Sequence, residues 1–394
     1  MNPEDPAPVR VLMVTREGLE DRRFGLGRSL ATLIPALQDQ GVAVTYLCRD
    51  QAIGLPVWTK GLARWWAREA SSASVGRAMT AAFAERLAMG YQAAGVLVQQ
   101  GHTHVHCHDP WIALGFWLTV AGTRYSGVPW GFTQHGFGAY VQSLHEEIGP
   151  LTVPQWRRLR HLENRVAEHA RWVMTPTRLA MNQLVRDLGR PAPASHWHVV
   201  PHPRPIAPPR MDASTARSSP GLRCLVVGRE AALKRQDLVI RACARLAPSI
   251  AWHLTLLGVS PVSSLTSLAR QLGVAERVDC RIVESVWEDL FSADCYISTS
   301  TTESFGLANL EALQAGLPMI CTAVGGVPEV VGPASLWIPP DDTDALVMAL
   351  TAYAQDEGLR TAMAALARQR GASWPEASHI ASKYVAIYRA AMAR

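Results

Sequence analysis

Long apolar runs are missing from this sequence. No stretch of 18 or more residues is greasy enough to span a bilayer, so no membrane-crossing helix is expected. The opening residues, MNPEDPAPVR, carry acids and prolines where a signal peptide needs a positive start and an apolar run, so a cytoplasmic protein is expected. The seven cysteines, Cys48, Cys107, Cys224, Cys243, Cys280, Cys295 and Cys321, form no C-x-x-C pair and lie mostly within apolar runs. Buried reduced thiols fit that pattern; a disulfide framework or a zinc site does not. Lysine is scarce as well, with Lys60, Lys234 and Lys383 standing among 38 basic residues. A lysine at a chemically meaningful position is therefore informative.

What is present points to a globular protein with large cores, since 48% of the residues are hydrophobic and 18% charged. A length of 394 residues favours two domains over one. The net charge of +5 is uneven: residues 1–200 hold 20 basic and 15 acidic side chains, residues 201–394 hold 18 of each. Two basic, tryptophan-rich clusters lie in the first half, Trp58, Lys60, Arg64, Trp65, Trp66 and Arg68, then Trp156, Arg157, Arg158 and Arg160. Such segments can sit on anionic headgroups, which makes a peripheral membrane contact a candidate; the bland alternative is buried indoles and solvated guanidinium groups. No nucleic-acid partner is expected.

Short apolar runs alternate with amphipathic stretches throughout. Residues 9–15, 42–48, 128–133, 172–175 and 198–200 read as strands in the first half, and 222–227, 253–257, 295–299 and 319–322 in the second. Residues 28–40, 236–246 and 307–315 read as helices between them. That alternation predicts right-handed β-α-β units and parallel sheets, with ligands at the carboxyl ends of the strands. It breaks at PRPIAPPRMDASTARSSPG, residues 203–221, so the chain divides into a domain over 1–205, a linker over 206–220, a second domain over 221–372 and a terminal segment over 373–394.

The richest stretch is STSTTESFGLANLEALQAG, residues 298–316. A strand runs into a hydroxyl-rich turn, then Glu303, then Ser304, Phe305, Gly306 and Leu307 opening a helix that carries Glu311. Uncapped N–H groups at a helix start suit a phosphate. Eight helical residues rise about 12 Å, comparable with the span from hexose to ribose in a sugar nucleotide. Taken alone, Glu303 could equally be a helix-start acid favoured by the macrodipole, and Glu311 a solvated helix residue. A second piece follows the linker: Gly228-Arg229 at a strand end, then Lys234. Two cations aimed at one place would neutralise a diphosphate, although a solvated loop would read the same way.

The 298–316 stretch, followed by Val324-Gly325-Gly326-Val327-Pro328-Glu329, resembles the signature of glycosyltransferase family 4 (group 1) on the GT-B fold. The resemblance implies two Rossmann-like, doubly wound parallel-sheet domains facing a central cleft. It implies that Glu303 contacts the transferred sugar, that Glu311 contacts the nucleotide ribose, and that the backbone at Gly306 and Leu307 faces the diphosphate or sugar. Arg229 and Lys234 match the family's Arg/Lys pair. His135, in Phe132-Thr133-Gln134-His135-Gly136, matches its T-x-H-G turn and would touch the donor sugar. Phe24-Gly25-Leu26-Gly27 matches loosely a glycine loop that lets backbone approach phosphates or sugar. His102, His104, His106 and His108 alternate along one strand face; zinc is the lesser reading, because the segment resembles the family's His-x-His-Asp strand end and rings along a strand diverge. His108 and Asp109 would be acceptor-side candidates.

The segment from Ser373-Trp374 through Tyr384 and Tyr388 resembles the family's terminal helix, which packs back on the N-terminal domain. Two stretches depart from the family: Leu257-Gly258-Val259-Ser260-Pro261 lacks a second glycine, and the usual Pro-Asn-Gly-Val-Asp reads Pro201-His202-Pro203-Arg204. The expectation is a retaining, metal-independent hexosyl transfer from a nucleotide-diphosphate sugar, UDP- or GDP-linked, to a hydroxyl of a saccharide, lipid-linked saccharide or secondary metabolite, without a cofactor. The rivals are a non-catalytic sugar-nucleotide or glycan-binding protein, and a sugar-nucleotide epimerase or glycan phosphorylase on the same fold.

Overall fold

The computed structural model describes residues 8–18, 25–51, 56–68, 70–209 and 221–393. The expected linker therefore lies largely outside the described residues, at 210–220, as does Phe24 of the glycine loop. The chain forms two compact units. The first contains Met1–Asp21, Leu30–His202 and Glu376–Arg394; the second contains Arg22–Ser29 and Pro203–Pro375.

Six strands build the first unit: β1 (Arg10–Thr15), β2 (Ala43–Cys48), β3 (His104–Cys107), β4 (Trp130–Thr133), β5 (Trp172–Thr175) and β6 (Trp197–Val199). They pair in parallel in the order β2-β1-β3-β4-β5-β6. β3, β4 and β5 are buried along their whole length, as strands covered by helices on both faces must be. The aromatic centre of this core is Trp66, Phe83 and Trp111, packed edge to face at 4.6–5.6 Å. Helix Ala377–Met392 joins this unit and buries Ile380, Ala381, Tyr384, Val385 and Tyr388.

The second unit holds β7 (Leu222–Val227), β8 (Trp252–Leu257), β9 (Val278–Arg281), β10 (Cys295–Ser298), β11 (Met319–Thr322) and β12 (Ser335–Ile338). Their order is β12-β11-β10-β7-β8-β9, again all parallel. Two apolar clusters flank this sheet, one around Val239, Leu254 and Tyr353, the other around Phe305, Leu310 and Trp374. None of the seven cysteines forms a disulfide, and all are buried. Among the described residues no helix is long and apolar enough to cross a membrane.

One feature differs from a single N-terminal domain over 1–205. Residues 25–29, the first turn of helix Gly25–Asp39, group with the second unit.

Candidate active site

In the second unit the strand order reverses between β10 and β7, and ligands of such sheets bind beyond the carboxyl ends at that reversal. The chain leaves β7 through Gly228 and exposed Arg229, then makes a short turn at Ala232–Lys234. Buried Gln236 holds this loop from the helix behind it, its Nε2 donating to the carbonyls of Gly228 (2.9 Å) and Arg229 (3.3 Å).

The hydroxyl-rich turn after β10 grips the same loop. The Thr299 hydroxyl reaches the carbonyls of Lys234 and Arg235, both at 3.0 Å, and the Thr301 N–H donates to the Leu233 carbonyl at 2.8 Å. The Thr322 hydroxyl, from β11, ties down the Ser300 carbonyl at 2.6 Å. The result is a direct ion pair between the Lys234 ammonium and the Glu303 carboxylate, both partly accessible. The Gly-Gly turn secures the other side of Glu303. Gly326 N–H donates to the Glu303 carbonyl at 2.8 Å, and a Cβ on Gly325, whose φ is +52°, would stand 1.9 Å from that carbonyl oxygen. Only glycine fits there.

Gly306, in the left-handed region at φ +80°, opens helix Leu307–Ala315, and no side chain caps the helix start. Glu311 lies in the second turn, 3% exposed, with Arg28 Nε on Oε1 (2.7 Å) and Arg28 Nη2 on Oε2 (3.0 Å). Burial pushes the Glu311 carboxyl up, and the Arg28 guanidinium only partly offsets that. The expected 12 Å helical rise between the glutamates does not apply, because residues 303–306 precede the helix. The Phe305 side chain is 2% exposed and packs edge to face on Trp374 at 5.6 Å. Ser304 is also buried, while Leu307 is half-buried at the helix start. Gly25 permits close packing, since a Cβ there would meet the Leu307 side chain at 2.8 Å; Gly27 is buried two residues on. Gly25 thus lets the turn that carries Arg28 lie against Leu307.

In the first unit the reversal falls between β1 and β3, and His108 and Asp109 follow β3. The Asp109 carboxylate is not open at the strand end. Its Oδ1 caps helix Pro110–Val120 through the N–H groups of Trp111 (2.7 Å) and Ile112 (3.3 Å), and its Oδ2 takes the buried Arg86 Nε at 2.7 Å. Nor do the four alternating histidines share one strand face, because β3 covers only His104–Cys107. His102 instead pairs with Thr45 Oγ1 at 2.8 Å, and His104 Nε2 donates to the Tyr388 carbonyl at 2.9 Å.

His106 bridges Tyr388 Oη (2.7 Å) and Thr133 Oγ1 (2.8 Å) and stacks on His108 at 4.7 Å. His108 Nδ1 and His135 Nε2 share a hydrogen bond at 2.9 Å, and His202 stacks on His135 at 5.4 Å. Burial lowers all of these rings, His202 to about 4 and His106 to about 3, and each also lowers its neighbours. Among the described residues no three His, Cys, Asp or Glu side chains are grouped to hold a metal ion.

Three residues went unread in the sequence. Arg28 follows the glycine loop directly, so its signal was one position away. Gln236 and Thr299 act through backbone carbonyls, and nothing in their spacing announces that.

The family model described as glycosyl transferases group 1 matches residues 211–370, and the one described as glycosyltransferase family 4 matches residues 25–206. A protein named D-inositol 3-phosphate glycosyltransferase from Xylanimonas cellulosilytica is 31% identical over 317 residues, 72% of this chain and 73% of that one. A protein of the same name from Actinosynnema mirum is 36% identical over 41% of this chain, spanning 45% of its own length. N-acetyl-alpha-D-glucosaminyl L-malate synthase from Bacillus anthracis is 31% identical over 40% of this chain and 42% of its own. The chain thus matches less than half the length of the last two. Among solved structures, sucrose-phosphate synthase from Thermosynechococcus elongatus superposes with TM-score 0.76 at 18% identity, covering 98% of this chain and 99% of that one. Anabaena HepE, in complex with UDP-glucose, superposes with TM-score 0.69 at 14% identity, over 96% and 98%.

Proposed function

The chain belongs to the family 4, group 1 glycosyltransferases of GT-B fold, and from that premise we propose that it moves a hexose from a nucleotide-diphosphate sugar to a hydroxyl with retention of anomeric configuration. The observation that carries this reading is Lys234 paired with Glu303 at the β7–β10 reversal, next to an uncapped helix start. A cation, a carboxylate and an uncapped helix start beyond the carboxyl ends of the two central strands suit a diphosphate joined to a polyol. In the proposed reaction Arg229, Lys234 and the backbone at Gly306 and Leu307 stabilise the departing diphosphate. Glu303 and His135 hold the sugar, and Glu311 holds the ribose. The diphosphate takes the acceptor's proton as the bond to the anomeric carbon breaks, and the new bond forms on the same face. HepE's complex with UDP-glucose supports UDP as the first nucleotide to try. The acceptor class is a saccharide, a lipid-linked saccharide or a secondary metabolite. We propose that neither metal nor cofactor takes part, because the charge of the leaving group is met by side chains and N–H groups.

The test is a panel of UDP-, GDP- and ADP-hexoses with sugar and polyol acceptors, in EDTA, the product's anomeric coupling read by NMR. Nucleoside diphosphate release with a retained anomer is expected. An inverted product, or complete loss of turnover restored by magnesium or manganese, overturns the mechanism. Binding without turnover for every donor and acceptor favours the non-catalytic rival, and an epimerised donor favours the epimerase.

A second observation bears on where the enzyme works. Arg158 lies over the ring of Trp65 at 5.1 Å, which joins the two basic, tryptophan-bearing helices Val57–Ala67 and Val153–His169 into one surface. Trp58 and Trp65 are 39% and 47% exposed there, whereas Trp66 packs into the core. A groove of about 520 Å³ beside them is lined by Ala67, Gly76 and Ala81 and rimmed by Lys60, Arg64 and Arg77. We propose that this face rests on anionic membrane. Sedimentation with phosphatidylglycerol vesicles should show salt-sensitive binding that Trp65→Ser with Arg64→Ser removes; no binding at low salt contradicts it.

A further inference from the structure

We propose that His108 fixes the tautomer of His135, holding it as a neutral ring with its proton on Nδ1. This rests on the reading that His135 touches the transferred sugar, and it adds a positioning residue to that site.

The 2.9 Å contact between His108 Nδ1 and His135 Nε2 holds one hydrogen, supplied by one ring or the other. His108 is 6% exposed, and its Nε2 is sealed from water without a hydrogen-bond partner among the described residues. If His135 were the donor, neutral His108 would carry its own proton on that Nε2, as a buried N–H with nothing to accept it. Orphaned buried N–H groups are rarer than under-used acceptors. The proton therefore belongs to His108 Nδ1, His135 Nε2 accepts it, and neutral His135 keeps its hydrogen on Nδ1.

The surroundings hold both rings in that state. His108 is anchored by its backbone N–H on the Val14 carbonyl at 2.8 Å and lies parallel to His106 within 5°. His135 lies within 13° of His108 and 23° of His202. The groups packed around the pair include the imidazoles of His106 and His202, the Thr133 hydroxyl bonded to His106, and Tyr384 and Tyr388 beyond. Asp109 is adjacent in sequence, but its carboxylate is engaged by Arg86 and the helix start. A positive charge on either ring is disfavoured first by burial and then by neighbouring imidazoles, His106 and His202 for His108, and His108 and His202 for His135. His202 adds a further imidazole to the stack on His135. With Nε2 engaged, His135 is no base through that nitrogen; it acts as a donor through Nδ1–H.

Two measurements on the full chain decide the matter. Long-range ¹H–¹⁵N spectra of histidine-labelled protein, assigned with His135→Gln, should show a protonated Nδ1 and a bare Nε2 on His135. A protonated Nε2 there overturns the proposal, whatever the activity. In turnover, His108→Ala should lower kcat by roughly 10- to 100-fold, the usual weight of a partner that orients a histidine, with donor KM little changed. The kcat profile should gain an acid limb at higher pH than the native enzyme shows, since one of the imidazoles that lowers His135 is gone. His108→Asn, whose amide N–H can donate where Nδ1 did, should restore most of kcat and remove the limb. Equal loss in His108→Ala and His108→Asn, with no new limb, also overturns it. If His135→Ala leaves turnover unchanged, the sugar-contact reading fails, and the spectra still decide the tautomer.

Discussion

Lys234 is one of three lysines in the chain, and it lies on the carboxylate of Glu303, sixty-nine positions away in sequence. Scarcity made it legible: an arginine-rich chain that retains a lysine beside a strand-end Gly-Arg marks that position. Asp109 shows the opposite case. Its place after a strand suggested a ligand-facing acid, but the following Pro-Trp-Ile is a helix start, and Asp is among the best helix caps. Asp109→Ala should remove the cap and leave buried Arg86 charged without its partner, at a cost of about 3–5 kcal/mol. Denaturant melts test this. A variant of unchanged stability but raised acceptor KM would return Asp109 to the site.

Individual elements were legible where both periodicity and burial were strong. β5, β7, β11 and helix Leu307–Ala315 match their expected bounds, and most other strands shift by one or two residues. β9 and β12 went unread because they are four-residue edge strands with mixed exposure, VDCR and SLWI, which carry little pattern. What no pattern shows is the backbone clamp on Glu303, made by the turn after β11. It predicts an asymmetry between two glycines of positive φ. Gly41→Ala, at φ +79° with nothing within 4 Å of the new Cβ, should cost only about 1–2 kcal/mol of stability. Gly325→Ala collides with the Glu303 carbonyl and should lower kcat about 100-fold by displacing the carboxylate, with nucleotide Kd changed far less. Equal kinetic effects in both would show that the clamp does not position Glu303.

For the whole molecule the buried and half-buried histidines set the response to acid. His102, His104, His106, His108, His135 and His202 all lie below the ordinary 6.5 in the folded state, because burial disfavours their charged form. Below pH 6.5 the unfolded chain therefore takes up protons that the folded chain refuses. Each ring's contribution is intact above 6.5 and is lost as pH falls toward its folded value, by up to about 1.4 kcal/mol per pH unit. Glu163, pushed up to about 8, and the raised Glu311 and Asp289 oppose this slope, since their protonated forms are favoured in the fold. Six rings outweigh three acids, so the urea midpoint should fall between pH 7 and pH 5; an unchanged or rising midpoint contradicts the neutral histidine stack. The division of labour between Glu303 and Glu311 carries the functional account, and it is open to one comparison: nucleotide Kd and kcat for Glu303→Gln and Glu311→Ala. Glu311→Ala should weaken nucleotide binding roughly 30- to 1,000-fold, the loss of a charged acceptor from ribose hydroxyls. Glu303→Gln should bind nucleotide almost as the native enzyme does and lose roughly 100-fold in kcat, a contact made in the transition state. Nucleotide binding abolished by Glu303→Gln and spared by Glu311→Ala would contradict the account.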